Sequence, residues 1–159
     1  MRICGISFDS TAAVLVIADF SDDGEVEIVD TETKRAKLGN HEDEACLNSF
    51  HRLISAVVND HAIKQIAIRK CTYAGKYQSG AASLKMEAIL QLADVPTVLI
   101  APRSANAACD NHNCVIPSEL NKYQHDAFRA AFALAIKGAE SSDHKRRLVG
   151  SPGGDSRRS

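Results

Sequence analysis

No apolar run in the 159-residue sequence approaches the roughly 20 residues that a membrane-spanning helix needs. The start, Met1-Arg2-Ile3, has none of the layout of a signal peptide. The expectations are therefore a cytoplasmic location and no membrane partner. A basic surplus is missing as well. Net charge is −1, which excludes a chain devoted to packaging DNA by bulk electrostatics. Lys145, Arg146, Arg147, Arg157 and Arg158 all lie beyond residue 140, so the remainder is acidic on balance. Any grip on nucleic acid by the core must come from a local patch. The five cysteines (Cys4, Cys46, Cys71, Cys109 and Cys114) are odd in number and scattered. They form no disulfide framework by spacing, and reduced thiols are expected. Cys4 and Cys46 fall on apolar faces and read as small core residues.

Several motifs are absent too. There is no Gly-x-Ser-x-Gly elbow and no Cys/His protease signature. The run Gly75-Lys76 to Ser79-Gly80 lacks the spacing of a P-loop. Cys109-x2-His112-x-Cys114, with Asp110 beside it, lacks the second ligand pair of a structural zinc site. Internal repeats are absent, and the length suits one domain with a real core.

What is present is an ordered series of elements. Residues 2–8 and 12–19 read as two strands around a turn at Asp9-Ser10, the second apolar throughout. Ser21-Asp22-Asp23-Gly24 marks a turn, and the alternation in residues 25–30 predicts a third strand. A polar connector covers 31–40. Asn40 is the expected cap of a helix whose stripe runs Cys46, Leu47, Phe50, Leu53, Ile54, Val57 and Val58. Glu42, Asp43 and Glu44 suit the positive end of its dipole.

Residues 64–71 read as a fourth strand. The loop TYAGKYQSG and a helix over 80–94 follow, with Leu84, Ala88, Ile89 and Leu92 inward. Residues 96–100 give a fifth strand, 103–109 a short helix, and 119–137 the last helix, with Gly138 as its stop. Residues 140–159, rich in Ser, Gly, Pro and Arg, read as a disordered basic tail after a domain of residues 1–139. The order is three antiparallel strands, then parallel β-α units, then a closing helix.

The loop and the last helix hold the candidate chemistry. Residues 73–85 combine Tyr73, Lys76 and Tyr77 with a helix start at Gly80, where free N–H groups suit a phosphate. A capped helix on a mobile loop explains the same residues. His125 and Asp126 adjoin but point about 100° apart on a helix, so His125 reads as solvent-facing. Lys85 and Glu87 are expected to point outward. Asp9 shares a strand face with Ser7 if the strand continues, although Asp9-Ser10 is also an ordinary turn.

Three stretches carry a resemblance. Cys4-Gly5-Ile6-Ser7, Ile66-Ala67-Ile68-Arg69 and His125-Asp126-Ala127-Phe128 resemble the Holliday-junction-resolvase branch of the ribonuclease-H-like superfamily. Within that branch, Gly75-Lys76-Tyr77, Gly80-Ala81 and Ser83-Leu84-Lys85-Met86-Glu87-Ala88 resemble a little-characterised bacterial resolvase-like family. The similarity implies an α/β fold with a five-stranded mixed sheet flanked by helices. It implies acids on strand one, strand four and the last helix that hold two Mg²⁺ or Mn²⁺ ions. Here Ser7 and Arg69 stand at two of those places, and Asp126 keeps the acidic type at the third.

An arginine cannot ligate a metal. The leading expectation is a resolvase-like domain with a degenerate two-metal site. It binds nucleic acid, branched or structured, or another phosphate-bearing ligand, without efficient cleavage. Arg69, Lys70, Lys76, Gly80 and Lys85 line the phosphate path, Asp126 pairs with Arg69, and a homodimer is allowed. One alternative is a weak metal-dependent endonuclease with Asp126 and Asp9 as catalytic and metal-binding residues, joined by Glu87 or a backbone carbonyl. The other is a protein-interaction module that keeps only the fold.

Overall fold

The computed structural model describes residues 1–149. The chain runs β1 (Arg2–Asp9), β2 (Ala12–Phe20), β3 (Val26–Val29), β4 (Arg35–Lys37), α1 (Glu44–Asp60), β5 (Gln65–Arg69), α2 (Ala81–Leu90), β6 (Thr97–Ile100), α3 (Pro102–Asn111), a 3-10 turn (Lys122–Gln124) and α4 (His125–Val149). The sheet order is β3-β2-β1-β5-β6, with β4 also paired to β2. β1, β2, β3 and β4 pair antiparallel, while β5 joins β1 and β6 joins β5 in parallel. This is the mixed α/β architecture expected, with six strands in place of five. No helix among the described residues is long and apolar enough to cross a membrane.

The extra strand lies in the connector that reads as polar. β2 is nine residues long and β3 only four. β3 pairs with Ile17–Phe20, which leaves the edge of Ala12–Val14 to β4. Only Ala36 of β4 is buried, so three residues carry no periodicity to read.

The pleat of β1 divides the core. Cys4 and Ile6 point to one side, among Ile66, Ile68, Phe50, Ile54, Met86 and Leu90. Ile3 points to the other, where Ala67 of β5 packs with Ala130, Ala131 and Leu134 of α4. Gly5 faces that second side. A Cβ on Gly5 would lie 2.0 Å from the Ala127 carbonyl oxygen and 2.9 Å from Ala131 Cβ. Glycine is therefore required by space, and α4 rests directly on the backbone of β1.

Helices differ from the sequence pattern in four places, one being that the last helix starts at His125, after the 3-10 turn, and not at residue 119. Asp43, not Asn40, caps α1, accepting from the Ala45 N–H at 3.0 Å. Asn40 closes a local turn instead, accepting from the Glu42 N–H at 3.0 Å. In α2 the buried residues are Ala82, Met86, Glu87 and Leu90, while Ala88 is exposed and Leu92 lies exposed beyond the helix. The helix is apolar nearly all round, so its phase cannot be read from pattern alone.

The last helix passes Gly138 and continues to Val149, across the boundary expected at residue 139. A glycine inside a helix costs about 1 kcal/mol relative to alanine and does not force an ending. Beyond it, Arg147 pairs with Asp143 at 3.1 Å, and Ala139 and Ser142 line a groove shared with Asp22 and Glu25. The rest of the expected tail, residues 150–159, lies outside the described residues.

Candidate phosphate-binding centre

The contact of α4 with β1 sets the position of the site. Ile3 packs with Leu134, and Gly5 meets Ala127 and Ala131. α4 therefore runs opposite to β1, and its first turn arrives at the C-terminal end of that strand. β5 ends at the same pole, because Ile6 and Ile68 are register partners in parallel strands. One step further along each strand stand Ser7 and Arg69. Ser7 is buried and Arg69 half-buried.

Arg69 reaches Asp126, with Nη1 3.1 Å from Oδ1. Arg129, one helical turn on, places its own Nη1 3.1 Å from the same oxygen. One carboxylate oxygen thus receives two guanidinium groups, all three side chains being partly open to solvent. The spacing Asp126-x-x-Arg129 is the helical signal that reveals the second arginine.

Asp9 ends β1 in an exposed position, and its Oδ2 lies 2.8 Å from Arg35 Nη1. The Arg35 guanidinium also lies over the Tyr123 ring at 4.2 Å. β4 brings this arginine to the site, so the strand that sequence pattern omits also supplies the partner of Asp9.

Glu87 is the largest departure from expectation. It is 4% exposed rather than on the surface. Its carboxylate accepts from the Cys71 N–H at 2.6 Å and from the Tyr73 hydroxyl. It anchors the loop that leaves β5. The hydrogen bond to Glu87, then burial, pushes the Tyr73 phenol up to about 12. Burial first, and Glu87 next, pushes the Cys71 thiol up to about 12. Ser79 ties the far end of the loop. Its hydroxyl accepts from the Thr72 N–H at 3.0 Å and its own N–H donates to the Thr72 carbonyl at 2.7 Å.

The anchored loop displays its cations beside aromatic rings. Lys70 Nζ lies 5.1 Å from the Tyr73 ring centre and Lys76 Nζ 5.6 Å from that of Tyr77. The chain has three tyrosines, and each carries a cation over its face. Gly80 caps α2 with no side-chain hydrogen bond. Lys85 turns elsewhere: its ammonium donates to the His41 carbonyl at 2.9 Å, tying α2 to the entry of α1.

The donor set does not fit two divalent cations. Such a pair needs several converging carboxylates. Asp126 is engaged by two fixed positive charges, Asp9 by Arg35, and Glu87 by a backbone N–H and a phenol. Among the described residues no group of three or more His, Cys, Asp or Glu is placed to hold a metal ion.

Comparison with known proteins agrees at the level of fold. The RuvC structure of Thermus thermophilus superposes with a TM-score of 0.71 at 13% identity, covering 89% of this chain and 97% of that one. The same protein in complex with a Holliday junction substrate gives 0.65 at 14%, covering 89% and 98%. No curated protein matches the sequence. Gly5, Arg69, Glu87, Asp126 and Arg129 all fall within residues 1–134, the stretch that matches the family described as "Protein of unknown function (DUF3010)", and to that family this chain belongs.

Proposed function

We propose that this domain binds nucleic acid through its phosphates at the Arg69–Asp126–Arg129 centre, without efficient cleavage. The carrying observation is the meeting of two guanidinium groups on one carboxylate oxygen at 3.1 Å each. A carboxylate and a phosphate present the same oxygen geometry to an arginine fork. Asp126 thus acts as an internal anion that orients Arg69 and Arg129. A phosphate approaching this half-open centre meets donors already aimed.

The anchored loop supports the same reading. Lys70 and Lys76 add charge beside the exposed rings of Tyr73 and Tyr77. Cations along a backbone path with flat aromatic faces suit unpaired or splayed bases. The N-termini of α2, at Gly80, and α4, at Asp126, point their positive ends to this pole. Lys85 drops out of the path because of its bond to His41. The RuvC of Thermus thermophilus has been solved with a Holliday junction substrate, which makes branched DNA the first probe.

The test is a gel assay with branched, duplex and single-stranded DNA and RNA, in Mg²⁺, Mn²⁺ and EDTA. Shifted, uncut bands that persist in EDTA are expected, with affinity falling as salt rises. Arg69→Glu is expected to weaken binding at least tenfold while the circular dichroism spectrum is kept. Metal-dependent cleavage that disappears in Asp126→Ala would overturn the reading and leave a Mg²⁺- or Mn²⁺-dependent nuclease with Asp9 as second acid. Neither shift nor cleavage would leave a protein-interaction module.

A further inference from the structure

Cys109 and Cys114 lie outside the phosphate centre and are placed in a specific way. Cys109 is in the last turn of α3, His112 is the C-cap, and Asn113 follows with a left-handed φ of 50°. The Cys114 N–H then donates to the Cys109 carbonyl at 3.0 Å. This is the six-to-one bond of a Schellman ending, which brings the two residues it joins face to face, normally through an apolar contact. Here both residues are cysteines, so the turn that normally pairs two apolar side chains pairs two thiols.

The backbone bond also fixes their spacing. A 3.0 Å N–H to carbonyl contact, extended by the covalent bonds on either side, holds the two Cα atoms within roughly 7 Å. That is within the limit a disulfide can bridge. Both cysteines are free and only half-buried, unlike Cys4 and Cys71, which are buried. Cys114 packs against the cluster that contains Ala127 and Phe128 of α4. Cys109 sits within the field of Arg129.

We propose that Cys109 and Cys114 form a reversible dithiol–disulfide site whose oxidant is a small-molecule disulfide. The Cys114 thiolate attacks one sulfur of that disulfide, forms a mixed disulfide, and expels a thiolate that takes up a proton. Cys109 then gives its proton to solvent and attacks the Cys114 sulfur, expelling the second thiolate. Two protein thiols become one disulfide, and one small disulfide becomes two small thiols, with two electrons passed between them. Burial and the neighbouring Cys114 push the Cys109 thiol up to about 12, so the second, intramolecular step draws on a small thiolate fraction and quickens as pH rises. The bond ties the last turn of α3 to Cys114, which packs against the first turn of α4.

The test uses the folded full-length protein equilibrated with oxidised and reduced glutathione, then alkylated and cut with trypsin. Residues 104–122, between Arg103 and Lys122, carry both cysteines in one peptide. That peptide is expected to escape alkylation and to weigh two hydrogens less than its reduced form, reversibly with dithiothreitol. Cys109→Ser is expected to retain glutathione on Cys114. In urea the equilibrium constant for closure is expected to fall at least about tenfold, because the preset turn is lost. Alkylation of both cysteines in the oxidised folded protein would overturn the proposal. So would the same constant in folded and unfolded chains.

Discussion

The two faces of the sheet are packed in different ways. On the α1–α2 side, Ile6, Ile66, Ile68, Phe50, Ile54, Met86 and Leu90 fill the space with large side chains. On the α4 side, Gly5 and Ala67 meet Ala127, Ala130 and Ala131. The first face is held by volume, which can relax when a side chain is trimmed. The second is held at Gly5 by backbone contact, which leaves nothing to relax there, with Ile3, Val14, Val16, Phe128 and Leu134 packed around it. The residues of the proposed centre lie on the second: Asp126 and Arg129 are carried by a helix that cannot slide on its strand, and Arg69 comes from β5 beside it.

This contrast can be broken by adding or removing one carbon. Gly5→Ala adds a single carbon on the α4 side and is expected to cost more than about 3 kcal/mol in urea unfolding, as severe overpacking against backbone. The same change should disorder the Arg69–Asp126 pairing. Glu87→Ala tests the one carboxylate buried among the apolar residues of the α2 face. It strands the Cys71 N–H and the Tyr73 hydroxyl and is expected to cost about 2 kcal/mol. Ile68→Val removes one carbon from the α1–α2 side and is expected to cost only about 1 kcal/mol.

The smallest effect is spectroscopic. Tyr73 is raised from its ordinary value of 10.0 to about 12, so its neutral form is favoured in the folded state. Its contribution to stability is complete below about 10 and is lost as pH climbs from there to about 12. In an alkaline ultraviolet titration, Tyr73 is expected to ionise at about 12 in the parent and nearer 10 in Glu87→Gln.

Much of this arrangement was legible in the sequence. The apolar runs of β1 and β2, the alternation of β3 and the β-α units that follow predict the element order, because stretches of four or more residues carry a pattern. The pairing of Arg69 with Asp126 follows from the resemblance, which implies that strand one, strand four and the last helix converge. β4 escaped notice because three residues, one of them buried, have no period. Glu87 escaped because α2 is apolar on most sides, so a one-position error in phase turns a buried anchor into a surface charge. Gly138 misled because a glycine ends a helix only where the chain turns left-handed, and here flanking helix formers carry the turns through. Arg129 was readable from its spacing but gains meaning only when Arg69 arrives from β5.

The contact of Gly5 with Ala127 and Ala131 also sets the order of assembly. β1 comes first among the described elements, yet half of its surroundings come from the last described helix. Until residues beyond 127 are available, one face of the central strand has no partner and the sheet remains half covered. Long sequence separation of this kind slows the final docking step. The centre that holds Arg69, Asp126 and Arg129 therefore exists only once α4 has docked on β1 and β5.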